Sequence, residues 1–143
     1  MRVMVFVKAT EDSEKDFVRT AWTDEMMAAM GRFNDELSKA GILVMADGLK
    51  PSSQAKRVAF DGPDRMVIDG PFAETKELVA GFWIWQVRSI EEAVEWLKRA
   101  PFEGTEVEIR PVFEFEDFGA EFTPELQARQ ERLRAEIERQ KKG

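Results

Sequence analysis

Three residue types are missing from this chain of 143 residues: it has no cysteine, no histidine and no tyrosine. Without cysteine there is no disulfide, no thiol nucleophile and no thiolate metal site, which fits a cytoplasmic setting. Without histidine there is no imidazole base, no imidazole ligand for zinc or haem iron, and no Ser-His-Asp arrangement. Any chemistry must run on Asp, Glu, Lys, Arg, Ser, Thr or bound water. Positive charge is short too: the formal net charge is −7. That disfavours direct contact with nucleic acid, whose phosphates need clustered Lys and Arg, and with an anionic membrane surface. No apolar run approaches the roughly 20 residues of a spanning helix, and the start has no signal-peptide pattern.

What is present suits one domain with one core: hydrophobic residues make up 43% of the chain. Met1 to Ala9 carries apolar residues on both faces of a strand, with Val3, Val5 and Val7 against Met4 and Phe6. Residues 10–23 read as a polar connection in which Phe17, Val18 and Trp22 pack as a lid or short helical turn, or simply cover a core edge. Thr23 is placed to cap a helix whose apolar face is Met26, Met30, Phe33 and Leu37, closed by Gly41. A strand over 42–45 leads into the loop Asp47-Gly48-Leu49-Lys50-Pro51. Strands over 55–60 and 65–68 flank Asp61-Gly62-Pro63-Asp64, a hairpin signal, with Arg57 and Arg65 facing outward.

The strand over 78–87 is apolar on both faces through Phe82, Trp83, Ile84 and Trp85. A sheet with helices on one side and water on the other would alternate more cleanly, so the second face needs its own cover. A partner subunit's sheet is the expected one, and a homodimer follows. Ser89-Ile90-Glu91-Glu92 opens a second helix as a capping box, and a last strand spans 106–113. The acidic and aromatic stretch 114–122 reads as a surface segment with packed phenylalanines. Thr123-Pro124-Glu125 starts a third helix with a thin apolar stripe of Leu126, Leu133 and Ile137.

The most distinctive stretch is Asp69-Gly70-Pro71-Phe72-Ala73-Glu74-Thr75-Lys76-Glu77. Asp69 ends a strand, where its carboxylate would fold back onto main-chain N–H groups. Gly70 permits dihedrals that other residues avoid, and Pro71 stops the ladder. A rigid corner explains every residue type. The same corner would also set Asp69, Glu74 and Lys76 at the mouth of a sheet. This stretch closely resembles the signature of the DGPF proteins, a branch of the YCII-related family. MRVMVFVKAT, MGRFNDELSKAG, DGLKPSS, AGFWIWQV and SIEEAVEWLKRA resemble further segments of it, over roughly residues 1–116. The resemblance implies an α+β, ferredoxin-like βαββαβ core with an inserted β-hairpin, dimerising into an α+β barrel. Residues 117–143 are then a helical extension. Some members are encoded near or fused to alternative sigma factors. Relatives outside this branch pair a histidine with an aspartate as a proposed catalytic pair; that histidine has no counterpart here.

The candidate site follows. Asp69, Glu74 and Asp47 are the acid or base groups, and Lys76 and Arg110 would hold an anion. Phe72, Trp83 and Trp85 supply apolar lining, with indole N–H groups available to a ligand. The ordinary alternatives are a loop Asp47 bonded to backbone, a salt-bridged Arg110 and core tryptophans. No cofactor is implied, and no metal: the acidic clusters fit no EF-hand spacing. Three functions stay open: a small-molecule-binding protein, a regulatory protein acting with a partner such as a sigma factor, and a lyase- or isomerase-like enzyme working through carboxylates.

Overall fold

In the computed structural model, residues 1–16, 23–73 and 77–142 are described, and they fall into two compact units, Met1–Pro111 and Val112–Gly143. The first unit holds β1 (Arg2–Lys8), α1 (Glu11–Asp16), α2 (Asp24–Lys39), β2 (Leu43–Gly48), β3 (Lys56–Asp61), β4 (Asp64–Asp69), β5 (Val79–Gln86), α3 (Ile90–Leu97) and β6 (Val107–Pro111). Four strands form one antiparallel sheet in the order β2-β5-β1-β6, and β3 pairs with β4 in a separate ribbon. This is the expected ferredoxin-like βαββαβ order with a hairpin inserted between β2 and β5.

Local chemistry sets the helix ends. The Thr23 hydroxyl accepts from Met26 N at 3.1 Å, and Gly41 takes φ 75 just past α2. Ser89 Oγ accepts from Glu92 N at 3.1 Å. Only half of the expected capping box forms, because the Glu92 carboxylate takes the Arg88 guanidinium at 2.6 Å instead. The 10–16 segment is not merely a connection: Thr10 N donates to Ser13 Oγ and Ser13 N to Thr10 Oγ1, and this reciprocal pair opens α1. Phe17, Val18 and Trp22 lie outside the described residues.

The two faces of the large sheet differ. Val3 and Val5 of β1 and Trp83 and Trp85 of β5 are buried under Met30, Phe33 and Leu37 of α2 and Ala93 of α3. Each of the Val, Met, Phe and Leu side chains contributes on the order of 1.5–3 kcal/mol by leaving water, and Ala93 correspondingly less. Phe33 meets Trp83 and Trp85 edge-on, with centroids 5.8 and 6.2 Å apart. The register puts Met4, Phe6, Phe82 and Ile84 on the other face, and all four stay half-buried. Met45, beside Ile84 in the ladder, is 41% exposed. The expectation of two apolar faces on β5 therefore holds, and on the second face the Arg110 guanidinium of β6 stands 5.6 Å from the Phe6 ring.

In the second unit, Phe115 stacks on Phe122 and Phe118 packs against Phe113 and Phe122. Arg134 lies 4.9 Å over the Phe115 ring. The Thr123 hydroxyl accepts from Leu126 N at 3.2 Å and opens α4 (Pro124–Lys142). No helix among the described residues is long and apolar enough to cross a membrane.

Candidate functional site

The Asp69-Gly70-Pro71-Phe72 corner is a joint between three segments. Its ordering partner is Ser52, 5% exposed, in a short 3₁₀ turn over Ser52–Gln54. Phe72 N donates to Ser52 Oγ at 3.0 Å, and Gly70 N to Ala55 O at 3.0 Å. Glu14, from α1, clasps the same serine: its carboxylate accepts from Ser52 N at 2.8 Å and from the Ser52 hydroxyl. A Cβ on Gly70 would stand 1.7 Å from Ser52 O. Glycine is therefore required by close approach of two backbones. A positive φ is not the reason, since Gly70 is not among the glycines that adopt one. The Gly70–Pro71 bond is cis.

The expected site residues separate. Among the described residues the Asp69 carboxylate does not fold back on the main chain. It pairs across the hairpin with Lys56 Nζ at 2.5 Å and is 72% exposed. Phe72 is half-buried beneath the Arg57 guanidinium, whose Cζ stands 3.7 Å from the ring centroid. Arg57 thus covers the corner instead of facing away from it. Glu74 and Lys76 lie outside the described residues. Arg110 is exposed and bonds Glu108, which also takes Lys8 Nζ at 3.4 Å. These two cations hold the Glu108 carboxyl below its ordinary value, chiefly through the Arg110 hydrogen bond. Trp85 is sealed in the core with Nε1 unpartnered among the described residues. Trp83 has spent its indole N–H on Asn34 Oδ1 at 2.8 Å. Neither indole is left to donate to a ligand.

A cleft of about 210 Å³ lies over the helix-side face of the sheet, lined by Trp83, Phe102, Met30, Asn34, Val7, Ala46, Asp47, Gly48, Ala80, Gly81 and Phe82. Of the expected residues, Trp83 and Asp47 border it. The register explains its floor: Gly48 stands opposite Gly81, and Gly81 opposite Val7. A Cβ at Gly81 would come within 3.2 Å of Asp47 O, so glycine there lets β2 and β5 approach, whereas a Cβ at Gly48 would meet nothing within 4 Å and its absence leaves open space. Asp47 pairs with Phe82 while Ala46 pairs with Trp83. Alternation along the strand therefore turns the Asp47 carboxylate to the second face and leaves its main chain at the cleft. Asn34, Phe102 and the two glycines were not anticipated. The available signal was glycine inside the strand pattern at 81, which marks close backbone approach. Among the described residues no cluster of three acidic side chains is placed to hold a metal ion.

Comparison with known proteins gives three results. Residues 1–116 match the family model described as the YCII-related domain. An uncharacterised protein of Rhizobium meliloti is 31% identical over 85 residues, covering 57% of this chain and 68% of that protein. Among solved structures, 5-chloro-2-hydroxyhydroquinone dehydrochlorinase from Burkholderia phenoliruptrix, in complex with 2,5-dihydroxybenzoquinone, aligns at TM-score 0.45 and 15% identity over 82% of this chain and 98% of its own.

Proposed function

From the premise that this chain belongs to the family of YCII-related domains, we propose that it is a small-molecule-binding protein of the DGPF type that works as a homodimer. The binding domain of this reading spans residues 1–116, with 117–143 as an extension, in the cytoplasm. The observation that carries it is the cleft over Trp83. It is concave, mostly apolar, and kept open by Gly48 and Gly81 where side chains would fill it. Its volume of about 210 Å³ suits a small metabolite.

Binding without turnover is the reading favoured by the placement of the carboxylates. A carboxylate base near neutrality needs desolvation. Asp69 is 72% exposed beside Lys56, and Asp47 turns its side chain away from the cleft. The homodimer rests on the second face of the large sheet. Met4, Phe6, Phe82, Ile84 and Met45 form a contiguous apolar surface of the kind that marks an interface, and a second sheet is its natural cover.

The test is a thermal-shift screen against a metabolite panel, repeated on Ala46→Leu. Ala46 shares the Trp83 side of the sheet, so a leucine there fills the cleft. A ligand that binds the native state raises Tm by mass action, and that rise should vanish in Ala46→Leu. A shift that survives the substitution places the ligand elsewhere and sinks the proposal.

A further inference from the structure

We infer that the cleft selects uncharged ring compounds carrying a carbonyl oxygen, and that Asn34 reads that oxygen; this rests on the cleft being the binding site. The amide orientation of Asn34 is fixed by its neighbour. An indole nitrogen only donates, so the atom that Trp83 Nε1 meets at 2.8 Å must be the amide oxygen. The amide nitrogen, with its two N–H groups, is then on the other side of the side chain. Asn34 is half-buried and lines the cleft, and no acceptor among the described residues bonds that nitrogen. Two donors in an apolar recess call for an acceptor on the ligand, because a donor desolvated without a partner is costly.

Shape and charge narrow the class. The floor is bare backbone at Gly48 and Gly81, flanked by Ala46 and Val7, while the walls are the Trp83 and Phe102 rings. Those rings stand 5.9 Å apart between centroids at 75°. They pack edge to face on each other with Trp83 only 4% exposed, so they form one apolar wall, and the flat backbone floor beside it accepts a planar or near-planar ring through apolar contact. The one charged lining residue among those described is Asp47, whose carboxylate faces the opposite side of the sheet. A carboxylate ligand would therefore lose its hydration without gaining a cation, which disfavours it against a neutral carbonyl of the same shape.

The test compares acetophenone, ethylbenzene and benzoate, three compounds of near-equal size that differ in the oxygen. Binding is read by NMR titration of the Trp83 indole N–H resonance in the full chain. Three proteins are used: the wild type, Ala46→Leu, and Asn34→Asp. The last keeps an acceptor for Trp83 but replaces the donors with a second oxygen. The expected result is that acetophenone binds the wild type at least tenfold more tightly than ethylbenzene or benzoate. Asn34→Asp should erase that preference while leaving Tm and the Trp83 indole shift in place, and Ala46→Leu should abolish binding. If ethylbenzene or benzoate binds as tightly as acetophenone, or if Asn34→Asp leaves the preference intact, the inference about ligand class is wrong and the cleft reading stands. If no ring compound binds, the inference about ligand class is wrong and the metabolite screen decides the cleft reading; if binding ignores Ala46→Leu, both fail. The wild-type comparison among the three compounds decides the matter even if Asn34→Asp does not fold.

Discussion

Ser52→Ala tests whether the corner at 69–72 is a joint held by one hydroxyl. In the native protein that hydroxyl donates to the Glu14 carboxylate and accepts from Phe72 N at 3.0 Å. Removing it leaves Phe72 N–H without its acceptor and takes one of two donors from Glu14. Hydrogen bonds to charged groups are worth about 1.5–3 kcal/mol, and an unsatisfied buried donor costs about 1–3 kcal/mol. Glu14 and Phe72 are only half-buried, so water recovers part of each loss. The expected net cost is about 2 kcal/mol, or roughly 6 °C in Tm for a chain of this length. Urea unfolding should show a lowered midpoint with an unchanged slope. Hydrogen exchange should show the Phe72 amide losing its protection. Ser53, its exposed neighbour, is the control: Ser53→Ala should stay within about 0.5 kcal/mol of wild type. If Ser52→Ala is as silent as Ser53→Ala, the joint is not held by this hydroxyl.

Gly70→Ala should destabilise by more than Ser52→Ala, on the order of 3 kcal/mol or above, because the added Cβ would stand 1.7 Å from Ser52 O and one of two backbones must move; calorimetry showing a smaller loss than for Ser52→Ala refutes the close-approach account. Glu108 should titrate below its ordinary value of 4.5 by carboxyl NMR, and Arg110→Ala should bring it back up. Because the folded value is the lowered one, the stability from this contact is complete above the unfolded value and is lost as pH falls through the folded one. An Arg110→Ala protein in which Glu108 still titrates low would refute that assignment. Phe6→Asp, on the second sheet face, should convert a homodimer to monomer in sedimentation or light-scattering measurements; a wild-type chain that is already monomeric at high concentration removes the dimer from the proposal.

Much of the fold was readable because its signals are local. The spacing of Met30, Phe33 and Leu37 between Thr23 and Gly41 defines α2, and the turn at 61–64 defines the hairpin. Phe82 through Trp85 shows a strand apolar on both faces. Helix α1 was legible only as a short-turn alternative within 10–23, since its six residues, EDSEKD, carry no apolar period and its start depends on a Thr10–Ser13 exchange. The cleft was less readable still. Asn34, Gly48, Gly81 and Phe102 come from four separate segments, and only the β2–β5 register sets the two glycines opposite each other.

The separation of the corner from the cleft changes what the distinctive stretch means. A run such as Asp-Gly-Pro-Phe draws attention because glycine and proline punctuate the chain, and it is tempting to place chemistry where punctuation is densest. Here Gly70, Ser52 and Glu14 meet through backbone approach and hydrogen bonds that consume the polar groups involved. Asp69 is spent on Lys56, and the Phe72 ring on Arg57. The cleft shows the reverse pattern. Its one side-chain amide is bonded on a single side among the described residues, and its floor lacks side chains at Gly48 and Gly81. Groups already satisfied by the protein hold it together, whereas the donors of Asn34 beside an open recess are available to a ligand. On that physical ground we place the proposed binding site at the cleft, and the corner holds together the strands and turn that surround it.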